Sequence, residues 1–290
     1  VSDDTPHLFI FGLGYVGARL ARRARAQGWN VSGTHRMPAP EPDGIEVLAF
    51  DGRMTPALDA ALATATHVAS TVPPHDGADP VLAACGDRLS ASDARWFGYL
   101  STTGVYGDAG GDWVDEDTPV APSSERARAR VAAEAAWRAL ESPVRVVNVF
   151  RLAGIYGPGR SAFDRLRAGT ARRIDKPGQV FSRCHVEDIV TVLEAAMETR
   201  EPGGLYNVCD DAPAPAHEVI ARAAELLGVE APPLEDYADI AAELSPMARS
   251  FYADNRRVSN RRLEDRLGVT LAYPSYEAGL KAILEAERGD

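Results

Sequence analysis

Short apolar runs alternate with amphipathic stretches along the first half of the chain. Residues 7–12 (HLFIFG), 29–34 (WNVSGT), 45–50 (IEVLAF), 66–72 (THVASTV), 96–101 (WFGYLS) and 144–152 (VRVVNVFRL) are rich in apolar and β-branched residues. Runs of this length without strict alternation predict strands buried on both faces. Between them, 15–28, 54–65, 79–89 and 123–137 are composed of helix formers, the first closed by Gly28 and the last opened by two serines. Strand–helix alternation of this kind predicts an α/β fold, a doubly wound parallel sheet covered by helices.

The second half is less regular. Residues 185–200 and 216–228 read as amphipathic helices and 204–210 as a strand. Residues 230–246 (EAPPLEDYADIAAELSP) are acidic and punctuated by proline, which predicts a strap over the surface.

Composition narrows the classes. The chain has 290 residues, 45% hydrophobic and 25% charged, with a net charge of -11. A chain of this size can bury a sizeable core without staples. The acidic balance argues against nucleic acid or a membrane surface as partner, because both require a basic face. Cys85, Cys184 and Cys209 are odd in number and far apart, so neither a disulfide framework nor a metal site is expected. With no signal-peptide pattern and no run long enough to span a bilayer, the expected location is the cytoplasm. Of 31 basic residues only Lys176 and Lys281 are lysines. Few positions can therefore serve any role that needs an amine.

Gly12, Gly14 and Gly17 have the G-x-G-x-x-G spacing, directly after the first strand and at the start of the first helix. In that context the first glycine permits a tight turn, the second lets the backbone approach a pyrophosphate, and the third allows close helix–strand packing. Tyr15 and Val16 lie between them, where the helix N-terminus offers free N–H groups to phosphates. The second strand ends in Thr34, His35 and Arg36, without the carboxylate that NAD-preferring sites use on the ribose 2′-hydroxyl. Arg36 can instead pair with a 2′-phosphate, which favours NADP over NAD. Asp51, after the third strand, stands where an adenine amino group can be met, or where a turn needs an Asp.

The segment STTGVYGDAGGDWVDEDTP after the fifth strand, FRLAGIYGPG (150–159) and HVEDIVTVLEAAM (185–197), taken with the glycine motif, resemble the extended short-chain dehydrogenase/reductase family. That group contains the NAD-dependent nucleotide-sugar epimerases and dehydratases. The resemblance implies a Rossmann-type sheet with a smaller C-terminal substrate lobe. Residues 1–154 and 186–205 would form the dinucleotide-binding domain, and 155–185 with 206–290 the lobe.

Catalysis in the family, as the resemblance implies it, uses a Ser or Thr on the fifth strand and a Tyr-x-x-x-Lys on the next helix, followed four residues later by Glu. The Ser/Thr position falls on Thr102, whose hydroxyl either orients a substrate oxygen or caps the strand end. On the helix, Glu134 takes the Glu position, Arg130 the Lys position and Arg126 the Tyr position. Arg130 can still donate to ribose hydroxyls, but a guanidinium stays protonated and cannot act as a base. No tyrosine elsewhere has a lysine four residues on. Arg126, Arg130, Glu134 and Arg138 share one helical stripe, so an ion-paired surface face is the competing reading. The Asp-Glu pair that the family's sugar dehydratases place after the catalytic Thr is replaced by Thr103 and Gly104. Sugar dehydration is therefore not expected.

Other side chains near these motifs can carry a proton. Tyr106 reads as packing, Asp115, Glu116 and Asp117 as solvated carboxylates, and His185 as a cleft residue or the orderer of a loop beside a helix start. Asp188 meets the helix dipole. On the substrate side, Arg160, Arg183 and the arginines of 256–262 can clamp a phosphate or carboxylate. The expected function is an NAD(P)-binding oxidoreductase or epimerase-like enzyme with an atypical site and a small anionic or nucleotide-linked substrate, as monomer or homodimer. The alternative is a non-catalytic NADP-binding sensor.

Overall fold

The computed structural model describes residues 5–37, 44–199 and 203–289. In chain order the strands are β1 (His7–Phe11), β2 (Asn30–His35), β3 (Glu46–Ala49), β4 (His67–Ser70), β5 (Trp96–Thr102), β6 (Trp113–Val114), β7 (Val146–Leu152), β8 (Gly154–Tyr156), β9 (Arg173–Asp175), β10 (Arg183–His185), β11 (Leu205–Val208), β12 (Leu234–Asp236) and β13 (Arg257–Val258). The helices are α1 (Gly17–Ala26), α2 (Pro56–Thr64), α3 (Pro80–Ser90), α4 (Glu125–Arg138), α5 (Ala162–Arg167), α6 (Val186–Glu198), α7 (Ala216–Leu227), α8 (Tyr237–Ile240), α9 (Pro246–Phe251), α10 (Arg261–Leu267) and α11 (Tyr276–Gly289).

Two compact units result. The first comprises Val1–Thr102, Ser124–Arg151 and Val190–Tyr206, and the second Thr103–Ser123, Leu152–Ile189 and Asn207–Asp290. The sequence placed residues 103–123 with the nucleotide-binding part. They cluster instead with the second unit, because β6 pairs with β13 and the backbone N–H groups of Ala109 and Gly111 donate to Asn255 O.

The first unit is built on a seven-stranded sheet of order β11-β7-β5-β4-β1-β2-β3. The strand order reverses its direction of growth between β1 and β4, which run parallel to each other. A ligand in an open α/β sheet binds at such a switch point, outside the strand carboxyl ends. Four consecutive residues of β1 are buried, as are all of β4, which is what helices on both faces require. Thr55 caps α2 and Asp79 caps α3, each followed by proline at the first helical turn. The core under these helices contains Phe9, Phe11, Phe97, Tyr99 and Trp137.

In the second unit, β8 and β10, β9 and β12, and β6 and β13 form three small parallel pairs. Phe163, Ile220, Leu280 and Ile283 join α5, α7 and α11 into one core. Gly279 lets α11 approach Tyr156, since a Cβ there would lie 2.1 Å from the tyrosine oxygen. Residues 230–246, read as a strap, fold into β12 and α8, with Ile240 and Leu244 packed on Ile174.

Candidate functional site

The glycine loop joins β1 to α1. Gly12 adopts a left-handed φ of 91°, donates its N–H to Thr34 Oγ1 (3.0 Å), and accepts at its carbonyl from Thr71 Oγ1 (2.7 Å). A Cβ on Gly17 would stand 2.2 Å from the Gly12 carbonyl, so the helix can start this close to the turn only with glycine. Gly14 is exposed, and a Cβ there would meet nothing within 4 Å. Val16 is buried, while Arg19 donates to Tyr15 O (2.8 Å) with its guanidinium 4.0 Å above the Tyr15 ring. No side chain caps α1, and its first turn holds no acidic residue. Uncapped N–H groups and open space at Gly14 are the features that an anion at a helix start requires. Arg36 and Asp51 are both exposed, just past β2 and β3.

Thr102 ends β5, half-buried. Alongside it, α4 is opened by Ser124, which accepts from Ala127 N. The four-residue stripe on α4 divides in two. Arg126 and Arg138 are exposed, whereas Arg130 and Glu134 turn towards the sheet. Arg130 Nη1 donates to Leu100 O (2.6 Å) and to the Tyr99 hydroxyl (3.2 Å). Glu134 accepts from Ser101 Oγ (2.6 Å) and from Arg151 Nη2 (2.8 Å). The ion-paired surface face is therefore corrected: Glu134 serves β5 and β7, because Arg151 and Ser101 offer it charge-assisted bonds in a buried setting. Sequence reasoning missed Arg151, whose only signal was an arginine closing an otherwise apolar strand.

Chemically, this end of the first unit offers a hydroxyl, a fixed guanidinium and backbone donors. Burial drives the Tyr99 phenol well above its usual range, against the pull of Arg130, so it does not supply a tyrosinate. Trp137 stacks on Tyr99 at 5.7 Å and donates to Asp79 Oδ2 (2.9 Å), which locks α4 to α3.

The second unit holds the expected substrate residues. Arg160 is exposed in the turn before α5. Arg183 is half-buried, with Nη1 donating to Phe181 O (2.8 Å) and Ala214 O (2.9 Å). His185 is 2 % exposed, packed against Tyr156 (5.2 Å) and Tyr273 (4.0 Å), and its Nδ1 accepts from Glu187 N. These contacts hold the ring beside the start of α6. Tyr106 donates to Asn207 Oδ1 (2.7 Å) and is buried, as a packing residue would be. Glu116 is buried rather than solvated: it accepts from Asn207 N (2.7 Å), and burial raises its carboxyl. Asp188 accepts from Ala272 N and Tyr273 N, fixing the approach to α11.

Of the arginines at 256–262, Arg256 donates to Gly107 O, Arg257 to Gly111 O and Arg262 to Asp117. Three of the expected clamp residues thus hold loops. A cavity of about 610 Å³ lies beside β6 and β13, lined among others by Trp113, Asp115, Asp211 and Asn260. It contains none of the residues expected to contact cofactor, and of the 256–262 arginines only Arg261 lines it. Among the described residues no group of three or more His, Cys, Asp or Glu side chains is placed to hold a metal, and no helix is long and apolar enough to cross a membrane.

A sheet of this order, with a glycine turn feeding an uncapped helix at its switch point, defines the Rossmann class. The sequence profile of the NAD dependent epimerase/dehydratase family matches residues 74–209. The chain is 32% identical to protein YeeZ of Escherichia coli (strain K12) over 285 residues, spanning 91% of this chain and 95% of YeeZ. It is 28% identical to a 3-diazoavenalumate denitrifying reductase of Streptomyces sp over 300 residues, 92% of this chain and 96% of that one. A solved structure, described as a functionally unknown conserved protein from Silicibacter pomeroyi DSS, matches with a TM-score of 0.90 at 50% identity, covering 97% of this chain and 99% of that one. The chain belongs to the NAD dependent epimerase/dehydratase family.

Proposed function

We propose that this chain is a nicotinamide-dependent oxidoreductase or epimerase-like enzyme with a rearranged catalytic site, acting on a small anionic or nucleotide-linked substrate. The observation that carries the reading is the glycine loop: Gly17 packs on the Gly12 carbonyl while Gly14 faces open space at an uncapped helix start. Those residues fit a pyrophosphate, which would take the N–H groups of the α1 start. Arg36 favours NADP over NAD by offering a guanidinium to the 2′-phosphate. Asp51 would meet the adenine edge. A bound nicotinamide supplies hydride chemistry; the chain's own part is to hold and orient. Arg130 has its Nη1 fixed on β5 and would present the rest of its fork to ribose hydroxyls, and Thr102 would orient the substrate oxygen. In the second unit, Arg160 and Arg183 would take the substrate's anionic group.

The 28% identity to a reductase supports a redox reading over a purely structural one. Titration calorimetry of NADPH and NADH against wild type and Arg36→Ala tests it. Tight NADPH binding that weakens in the variant is expected, and absence of binding to either nucleotide removes the proposal. One observation favours a second reading, a non-catalytic NADP-binding sensor: Arg126, which the family resemblance sets against the catalytic tyrosine, is exposed. That reading requires cofactor binding without turnover of any substrate in a hydride-transfer screen.

A further inference from the structure

Asp210 follows β11 and is 1 % exposed. Its carboxyl oxygens make no well-formed hydrogen bond to a side chain, and only the backbone N–H groups of Ala212 and Arg183 approach them. A carboxyl group buried in this way costs stability, so its retention calls for a reason. Its backbone N–H donates to the Arg183 carbonyl at 2.6 Å, which holds the two residues side by side. Their side chains attract each other without closing to a salt bridge. Desolvation nevertheless pushes the Asp210 carboxyl up to about 7, against the pull of Arg183. Arg183, for its part, spends only Nη1 on the backbone of Phe181 and Ala214, leaving Nε and Nη2 for another acceptor.

Other titratable groups surround this pair. Asp211 adjoins Asp210, and Tyr156 on β8, Cys184 on β10 and Cys209 all feel its charge. Asp188 on α6 acts on Tyr156 and Cys184, and His185 lies against the Tyr156 ring. Around Arg183 stand Arg165 on α5, Tyr276 on α11 and Tyr252 at the end of α9. Burial pushes Tyr156, Tyr252, Tyr276 and both thiols upward, which keeps all five uncharged near neutrality.

We propose that Asp210 is a positioning residue that couples anion binding at Arg183 to the uptake of one proton. The second unit would then accept a phosphate, sulfate or carboxylate group together with that proton. A neutral Asp210 leaves the full guanidinium charge to the ligand, whereas an ionised one offsets that charge and repels the anion. By linkage, an anion arriving at Arg183 disfavours the ionised carboxyl and draws a proton in. The inference rests on Arg183 being an anion contact, as in the function proposed above.

The test is calorimetric titration of the full chain with sulfate, which does not itself titrate near neutrality, in two buffers of different ionisation enthalpy. Wild type is expected to take up a proton, with affinity falling by as much as about tenfold per pH unit above about pH 7. Asp210→Asn is expected to bind with no proton uptake and near-constant affinity between about pH 6 and 9. If binding is lost in Arg183→Gln, or weakened in the milder Arg183→Lys, yet wild type takes up no proton, the Asp210 inference fails and the Arg183 reading stands. If sulfate does not bind, or binds regardless of Arg183, that reading fails and the inference with it. The wild-type proton count alone decides the coupling should a variant not fold. The same titration with acetate separates a carboxylate-selective site from a general anion site.

Discussion

Glu134 on α4 and Arg151 at the end of β7 meet as a buried ion pair, Nη2 2.8 Å from Oε2, each side chain 7 % exposed. Ser101 Oγ donates to the same carboxylate, so one glutamate ties α4 to two strands at the carboxyl edge of the sheet. Breaking such a pair from one side strands a charge in a low dielectric. Glu134→Ala is expected to lose about 3–5 kcal/mol of stability, measured by urea unfolding. The double variant Glu134→Leu with Arg151→Met removes both charges and should recover most of that loss. A double variant no more stable than the single one would show that the carboxylate acts through Ser101 instead.

The pair also marks where sequence reading stopped. The strands and the glycine turn were legible because their signals are local: burial on both faces, and φ freedom at Gly12. Glu134 pointed inward only because α4 presents that face to β5 and β7, and its partner lies 17 positions away. Glu116 was misread for the same reason, since its partner Asn207 is 91 positions distant. Strands of two or three residues, such as β6, β8 and β13, carry no periodicity to detect.

Acid sensitivity of the first unit is expected to centre on His67. The ring is 1 % exposed, 4.8 Å from the Trp29 ring, with Thr66 Oγ1 at 2.9 Å from Nδ1. Burial, reinforced by the Arg95 guanidinium, lowers its pKa to about 4. The folded pKa lies below the unfolded value of 6.5, so the unfolded chain binds more protons between the two. Stability is full above about pH 6.5 and drains as pH falls towards about 4, by about 3 kcal/mol in all. His67→Gln should flatten that part of the stability–pH curve relative to wild type. An unchanged slope would place the sensitivity elsewhere.

Asp210 pulls the other way. Its carboxyl is held up to about 7 by burial, so between the ordinary carboxylate range and neutrality the folded chain binds the extra proton. Its contribution is present at low pH and is lost as pH rises through about 7. In wild type the two effects partly cancel, and single variants separate them. Asp210→Asn should gain stability relative to wild type as pH increases from about 5 to 8, read from urea midpoints. A gain that shrank with rising pH would reverse the assigned sign.

Gly14 and Gly17 separate ligand geometry from folding geometry. A methyl on Gly17 would sit 2.2 Å from a backbone oxygen that cannot move without shifting the turn. Gly17→Ala should therefore cost stability by about 1–3 kcal/mol and disturb binding along with it. Gly14→Ala meets open space and should leave thermal unfolding unchanged. If a pyrophosphate sits against Gly14, the same methyl should weaken NADPH binding by about tenfold or more, in line with the role of that glycine in dinucleotide turns. Full-strength binding by Gly14→Ala would move the phosphates away from this loop.

Tyr99 and Arg130 form the contact by which α4 grips β5, and it allows a test of whether Arg130 also reaches a cofactor. The Tyr99 hydroxyl and the Leu100 carbonyl share Arg130 Nη1, and the tyrosine ring is pinned by stacking on Trp137. Lysine would have no fork to divide between strand and ligand; arginine fixes one edge and leaves the other to donate. Tyr99→Phe removes a single acceptor and keeps the ring in place, at a stability cost of about 1 kcal/mol. If Arg130 holds the nicotinamide ribose, the loosened guanidinium should weaken NADPH by about three- to tenfold, while binding of 2′,5′-ADP, which has no nicotinamide ribose, stays unchanged. Equal weakening of both ligands would mean that Arg130 supports the strand rather than the cofactor.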